Sequence, residues 1–206
     1  MEISVKRMVA TSAVVAVAIG SLMGCARLPK GAVQETKVAL DQADQAQAET
    51  YAPQAWAEAQ KAMDAANAEI DNQRTNFALN RSYKKTAELL EVARQKATEA
   101  EKAAVAGKEQ VHKQAEQLLT ELSSGFDRAN QLFEELSKCR RRPKGLASDL
   151  DQMRGKVNGL ARQVTDLQSA LEAESYMEVK TLATQLKNQL DAAVADMEKT
   201  KAKLGC

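Results

Sequence analysis

Aromatic side chains make up 3% of the 206 residues, and the chain holds one histidine, one tryptophan, three prolines and three cysteines. So few rings leave no material for an aromatic-lined ligand pocket. His112 has no cysteine near it and lacks the companions of a zinc site, so no metal and no other cofactor is expected. The pattern Gly-x-Ser-x-Gly is absent. Ser123-Ser124-Gly125 has no histidine beside it and marks a weak point in a helix, while Glu134-Glu135 is ordinary surface charge. No enzymatic activity is expected. Charge of one sign is also lacking: the formal net charge is +1, and Glu2, Lys6 and Arg7 supply it, leaving the rest near neutral with no global pull toward nucleic acid. No segment alternates in the manner of a strand.

What the chain does have is Ala, Gln, Glu, Lys and Leu, the residues of long helices with narrow seams. A first helix is expected from about Val33 to Asp71, with the heptad-spaced seam Ala52, Trp56, Ala59, Met63, Ala66 and Ile70. Pro53 removes a backbone donor and disfavours helix at Ala52, so a kink or break is expected near Tyr51–Pro53. Asp71-Asn72-Gln73 is a polar turn. A second helix starts near Thr75 and runs to Lys138, its seam passing through Tyr83, Ala87, Leu90, Ala93, Ala97, Ala100, Ala104, Gly107 and Val111. It continues through Ala115, Leu118, Leu122, Gly125, Ala129, Leu132 and Leu136. Two successive steps of four at Gly107, Val111 and Ala115 slip the heptad phase and turn the apolar face toward new neighbours. Pro143 and Gly145 mark a turn. A third helix follows on Leu146, Leu150, Met153, Val157, Leu160, Val164, Leu167 and Leu171, and a fourth on Val179, Ala183, Leu186, Leu190, Ala193, Met197 and Leu204, with a turn at Glu172–Ser175. Ser82-Tyr83 and Ser175-Tyr176 open similar runs; two helix-turn-helix units and chance among alanine-rich helices explain this equally well.

The N-terminus is built like a secretory signal, with basic Lys6 and Arg7, an apolar run from Met8 to Gly20, and small residues leading to Leu22-Met23-Gly24-Cys25. The run is shorter than the roughly 20 apolar residues of a membrane span; an uncleaved anchor and a plain secretory signal are the alternatives. The arrangement resembles the lipobox of bacterial lipoproteins. That resemblance implies cleavage before Cys25, three acyl chains on it, and, with Ala26 rather than aspartate next, placement in the outer membrane. Three chains at about 0.8 kcal/mol per buried CH₂ hold a protein almost permanently.

These readings give an all-α protein in four parts: a signal peptide (1–24), a lipidated tether (25–32), a coiled-coil-like helical hairpin (33–110) and a three-helix bundle (111–206). Segments 110–139, 145–174 and 176–205 hold about 30 residues each, or roughly 45 Å of helix. Short connections make them antiparallel neighbours. Cys139 and Cys206 then fall at one end of the bundle, and with Cys25 consumed by lipid an oxidising periplasm favours a Cys139–Cys206 disulfide. A free or intermolecular thiol is the rival. The tether is expected near the middle of a rod roughly 95 Å long, which lets the rod lie along the membrane or pivot above it.

Residues from about Val33 to Ala104 also resemble an uncharacterised family of alanine-rich helical bacterial lipoproteins. Ala43, Ala46, the Tyr51-Ala52-Pro53 motif, Trp56, Ala59, Ala62 and Ala66 carry the likeness. It implies a helical periplasmic domain and no reaction. Tyr51 and Trp56 are read as packing anchors before a ligand platform.

Lys138, Arg140, Arg141, Arg142 and Lys144 form the sharpest charge cluster. It is either a solvated turn whose cations complement a helix C-terminus or an anion-binding surface for the cell wall or anionic lipid. The chain ends in Lys203-Leu204-Gly205-Cys206, without the terminal lysine of lipoproteins joined covalently to peptidoglycan. The expected function is a non-enzymatic, outer-membrane-anchored scaffold or adaptor that binds a protein partner or itself through helical faces. The alternative is an envelope-binding protein acting through residues 138–144.

Overall fold

The computed structural model describes residues 27–141 and 143–206; the expected signal peptide, Cys25 and Arg142 lie outside them. Six α-helices occur among the described residues: α1 (Lys30–Gln45), α2 (Ala48–Tyr51), α3 (Pro53–Thr75), α4 (Lys84–Lys138), α5 (Leu146–Glu172) and α6 (Tyr176–Leu204). A short 3-10 turn covers Ala78–Asn80, and no strand is present among the described residues. The all-α class is as expected.

The spine is α4, whose 55 residues span roughly 82 Å. Its seam is the one its spacing predicts from Leu90 onward: Leu90, Ala93, Ala97, Ala100, Ala104, Val111, Ala115, Leu122, Ala129, Leu132 and Leu136 are buried. The first turn differs. The helix starts at Lys84 and buries Thr86, while Ala87 is exposed.

The segment 33–110 corrects the expected hairpin. The chain breaks twice, at Ala46–Gln47 and at Ala52, and has reversed direction by the time α3 begins. Gln47 adopts a left-handed conformation (φ 60°), and Pro53 opens α3 at a position where its missing N–H costs nothing. The register on α4 establishes the reversal. The Thr36 hydroxyl donates to the Leu90 carbonyl at 3.1 Å, and the Tyr51 carbonyl lies against Gly107, so α1 and α2 run parallel to α4. Glu58 pairs with Lys96 at 3.0 Å and Glu69 with Lys85 at 2.8 Å, so α3 runs back. Residues 30–104 thus form a three-helix bundle with a core largely of alanine: Ala39, Ala43, Ala48, Ala59, Ala97, Ala100 and Ala104 around Tyr51 and Trp56, then Met63, Ala66, Leu90 and Ala93. Alanine has no side-chain entropy to lose on burial and lets backbones approach closely. Each buried alanine contributes little area at about 25 cal/mol per Å², so much of this bundle's stability rests on its few large side chains.

The second bundle matches its expectation. It contains α4 beyond Ala115, α5 and α6, with short turns at 139–145 and 173–175. Its core is larger and leucine-rich, with Leu122, Leu132, Phe133, Leu136, Val157, Leu160, Leu167, Val179, Leu186, Leu190 and Met197. Gly125 lets α6 come close, since a Cβ there would sit 2.7 Å from Leu190 Cδ2 and that side chain would have to shift. Both halves are therefore up-down-up bundles that share one continuous helix, and the repeated Ser-Tyr pairs fall at the start of α4 and of α6.

The phase slip marks where α4 changes partners. Ala104 belongs to the first core and Ala115 to the second. At this waist two turns meet the helix: the α1–α3 reversal, through Tyr51 on Gly107, and the α5–α6 turn, through Glu174 and Tyr176.

Candidate functional site

The C-terminal end of the rod gathers the sequence-singled residues. Cys139 closes α4 and is buried, and Cys206 follows α6, which ends on the left-handed Gly205. Because α6 runs parallel to α4, the two cysteines meet in the structure, with Cα atoms 5.6 Å apart across a sequence separation of 67. Ion pairs brace the same end: Lys201 to Glu135 at 2.8 Å and Arg128 to Glu198 at 2.8 Å. Hydrogen bonding from Lys201 holds the Glu135 carboxyl below the usual range.

The basic turn wraps this closure. Lys138 reaches Glu134 at 3.5 Å. Arg140, Arg141 and Lys144 are exposed, and no carboxylate among the described residues pairs with them. Arg140 and Arg141 line a solvent-open groove with Glu135, Lys138 and Lys201 beside the cysteine pair. A second groove runs along Leu136, Pro143, Leu146, Leu150, Asp151 and Arg154. The arrangement is a cationic, rigidly backed surface. Among the described residues no cluster of three metal-type ligands occurs.

The remaining candidates take structural places. His112 stacks on Tyr176, with ring centroids 4.4 Å apart, and its Nε2 lies 3.4 Å from Glu116. Beside them Lys108 pairs with Glu174 at 2.6 Å, which raises the lysine pKa and lowers that of the carboxyl. These contacts tie the α5–α6 turn to the waist. Tyr51 and Trp56 pack on the alanine core. Ser124 donates to the Thr120 carbonyl within its own helix, and Ser123 is exposed.

Sequence reasoning passed over the opposite end. The loop 76–83 between α3 and α4 exposes Phe77 and Leu79, 70% and 78% accessible. The signal was available: Phe77-Ala78-Leu79 is an apolar triplet that belongs to no helical seam. This end also receives the start of the described chain. Ala32 and Val33 pack among Met63, Ala66 and Leu90, so α1 begins near one tip of the rod and not at its middle, contrary to the sequence expectation. The two ends of the described molecule are thus chemically distinct, one bearing the start of α1 and an apolar loop, the other the basic turn.

Comparison with family models, curated proteins and solved structures returns no match. No helix among the described residues is long and apolar enough to cross a membrane.

Proposed function

We propose that this protein is a non-enzymatic lipoprotein of the bacterial outer membrane, held by acyl chains on Cys25, that acts as a rod-shaped scaffold or adaptor on the periplasmic face. One observation carries the reading beyond the lipobox: the start of α1 and the basic turn lie at opposite ends of one 55-residue helix. A short tether then holds one end at the bilayer and presents the other roughly 80 Å away. Two bundles sharing an unbroken helix transmit position better than two domains on a linker.

The same separation favours a second reading for the distal end. Upright, the rod carries Arg140, Arg141 and Lys144 beyond reach of anionic lipid in its own membrane, and a cell-wall polyanion is the partner whose charge complements them. Mature protein should co-sediment with purified cell wall in a salt-sensitive way, and charge reversal at Arg140, Arg141 and Lys144 should abolish it. Sedimentation unaffected by that reversal removes the cell-wall reading and leaves a protein partner on the helical faces, which pull-down from the envelope identifies.

A further inference from the structure

The loop at the N-terminal tip is ordered by its own contacts. The Arg81 guanidinium donates to the carbonyls of Asn76 and Arg74, each at 3.0 Å, and the Ser82 N–H donates to Gln73 Oε1 at 3.0 Å. These bonds hold a 3-10 turn that points Phe77 and Leu79 into solvent. Isolated exposed apolar residues on helix flanks, such as Val105, are ordinary. Two neighbouring large ones on a stapled tip are a presented surface.

The chain leading to the tip has the matching length. Thr36 lies level with Leu90, so Lys30, six residues earlier in the parallel α1, lies level with Lys84, while Thr75 is six residues past Glu69, the partner of Lys85. The loop therefore runs from level with the start of α1 to roughly 8 Å beyond it. The five residues from Cys25 to Lys30 reach at most about 18 Å when extended. Cys25 can thus come level with the loop, and the tether is long enough to let the loop reach the surface that holds the lipid. Arg27, Lys30 and Lys84 are exposed at the same end, while Glu69 and Asp71 are paired with Lys85 and Arg74.

We propose that loop 76–83 is a second membrane contact, in which Phe77 and Leu79 enter the interfacial layer of an anionic bilayer and Arg27, Lys30 and Lys84 face its headgroups. The proposal rests on the lipoprotein reading, which holds the loop at the surface where two side chains suffice. One apolar tip bound beside a short tether fixes the rod's tilt, and so fixes where the basic end points. Neither the acyl chains alone nor the loop alone does this.

Leu79→Trp in full-length mature protein extracted from membranes tests it, after reconstitution in phosphatidylglycerol–phosphatidylethanolamine vesicles with or without brominated acyl chains. The added emission should shift to the blue and lose most of its intensity with brominated lipid. Trp56, about 28 Å of helix away, and a Lys144→Trp control should be unaffected. Adding Phe77→Ser should weaken the quenching. Quenching of Leu79→Trp no greater than that of Lys144→Trp, in protein that floats with the vesicles, overturns the loop contact and leaves the anchor standing. Quenching in protein shown by mass to lack acyl chains keeps the loop contact and removes the anchor. If unlipidated protein is a dimer that Phe77→Ser with Leu79→Ser dissociates, the loop contacts a second copy and the membrane proposal fails.

Discussion

Glycines separate packing from propensity at single positions. At Gly107 a methyl group would collide with the Tyr51 carbonyl, and backbone yields less readily than a side-chain tip. At Gly155 a methyl group meets nothing within 4 Å. Alanine replaces glycine in a helix interior with a gain of about 1 kcal/mol where space is free, and overpacking costs about 1–3 kcal/mol. Gly155→Ala should therefore raise the urea midpoint and Gly107→Ala should lower it; equal shifts of one sign would contradict the close approach at the waist. Glu69 gives a pH dependence. Hydrogen bonds from Lys85 first, and from Gln73, depress its carboxyl pKa. A depressed acid contributes stability that is complete above its unfolded value and disappears as pH falls through the folded value. The stability lost on acidification below about pH 4.3 should thus be smaller in Glu69→Gln than in the unsubstituted protein, read as the change in thermal midpoint between neutral and acid pH.

Helices and turns were legible to different degrees. Seams of leucine and alanine in α4 beyond Leu90, in α5 and in α6 follow directly from spacing, and the turns near Pro143 and at Glu172–Ser175 fall where their signals lie. The reversal at 46–52 was not legible as a reversal. Its left-handed residue is Gln47 and not glycine, and Pro53 alone does not distinguish a kink from the start of a new helix. A segment rich in alanine suits two-helix and three-helix packing equally, because small side chains specify their neighbours weakly. The loop 76–83 was missed because α3 continues to Thr75 and α4 starts only at Lys84. Matching lengths, by contrast, did bring Cys139 and Cys206 to one end. A disulfide closing 67 residues contributes about 4 kcal/mol in the chain-entropy treatment. Cys139→Ser with Cys206→Ser should lower the unfolding free energy by a comparable amount, measured by denaturant titration without reductant. An unchanged midpoint would show that the two thiols do not bond.

At the scale of the whole molecule, an unbroken helix separates the start of α1 from a basic surface at the other end, and the proposed function places the lipid at the first of these. The fold explains the composition. Few aromatics and many alanines suit slender bundles, and a near-neutral net charge leaves the cationic turn as a local feature without a global field. In the proposed arrangement the tip loop and the tether address the membrane; the waist joins the two bundles, and the cysteine pair closes the opposite end. Everything functional in this picture depends on the fate of Cys25. The most direct test is the intact mass of protein extracted from membranes without reductant. The account predicts a chain that starts at Cys25, carries three acyl chains, and is two hydrogens lighter than its reduced form. A mass that retains residues 1–24, or that lacks lipid, would contradict the anchored rod.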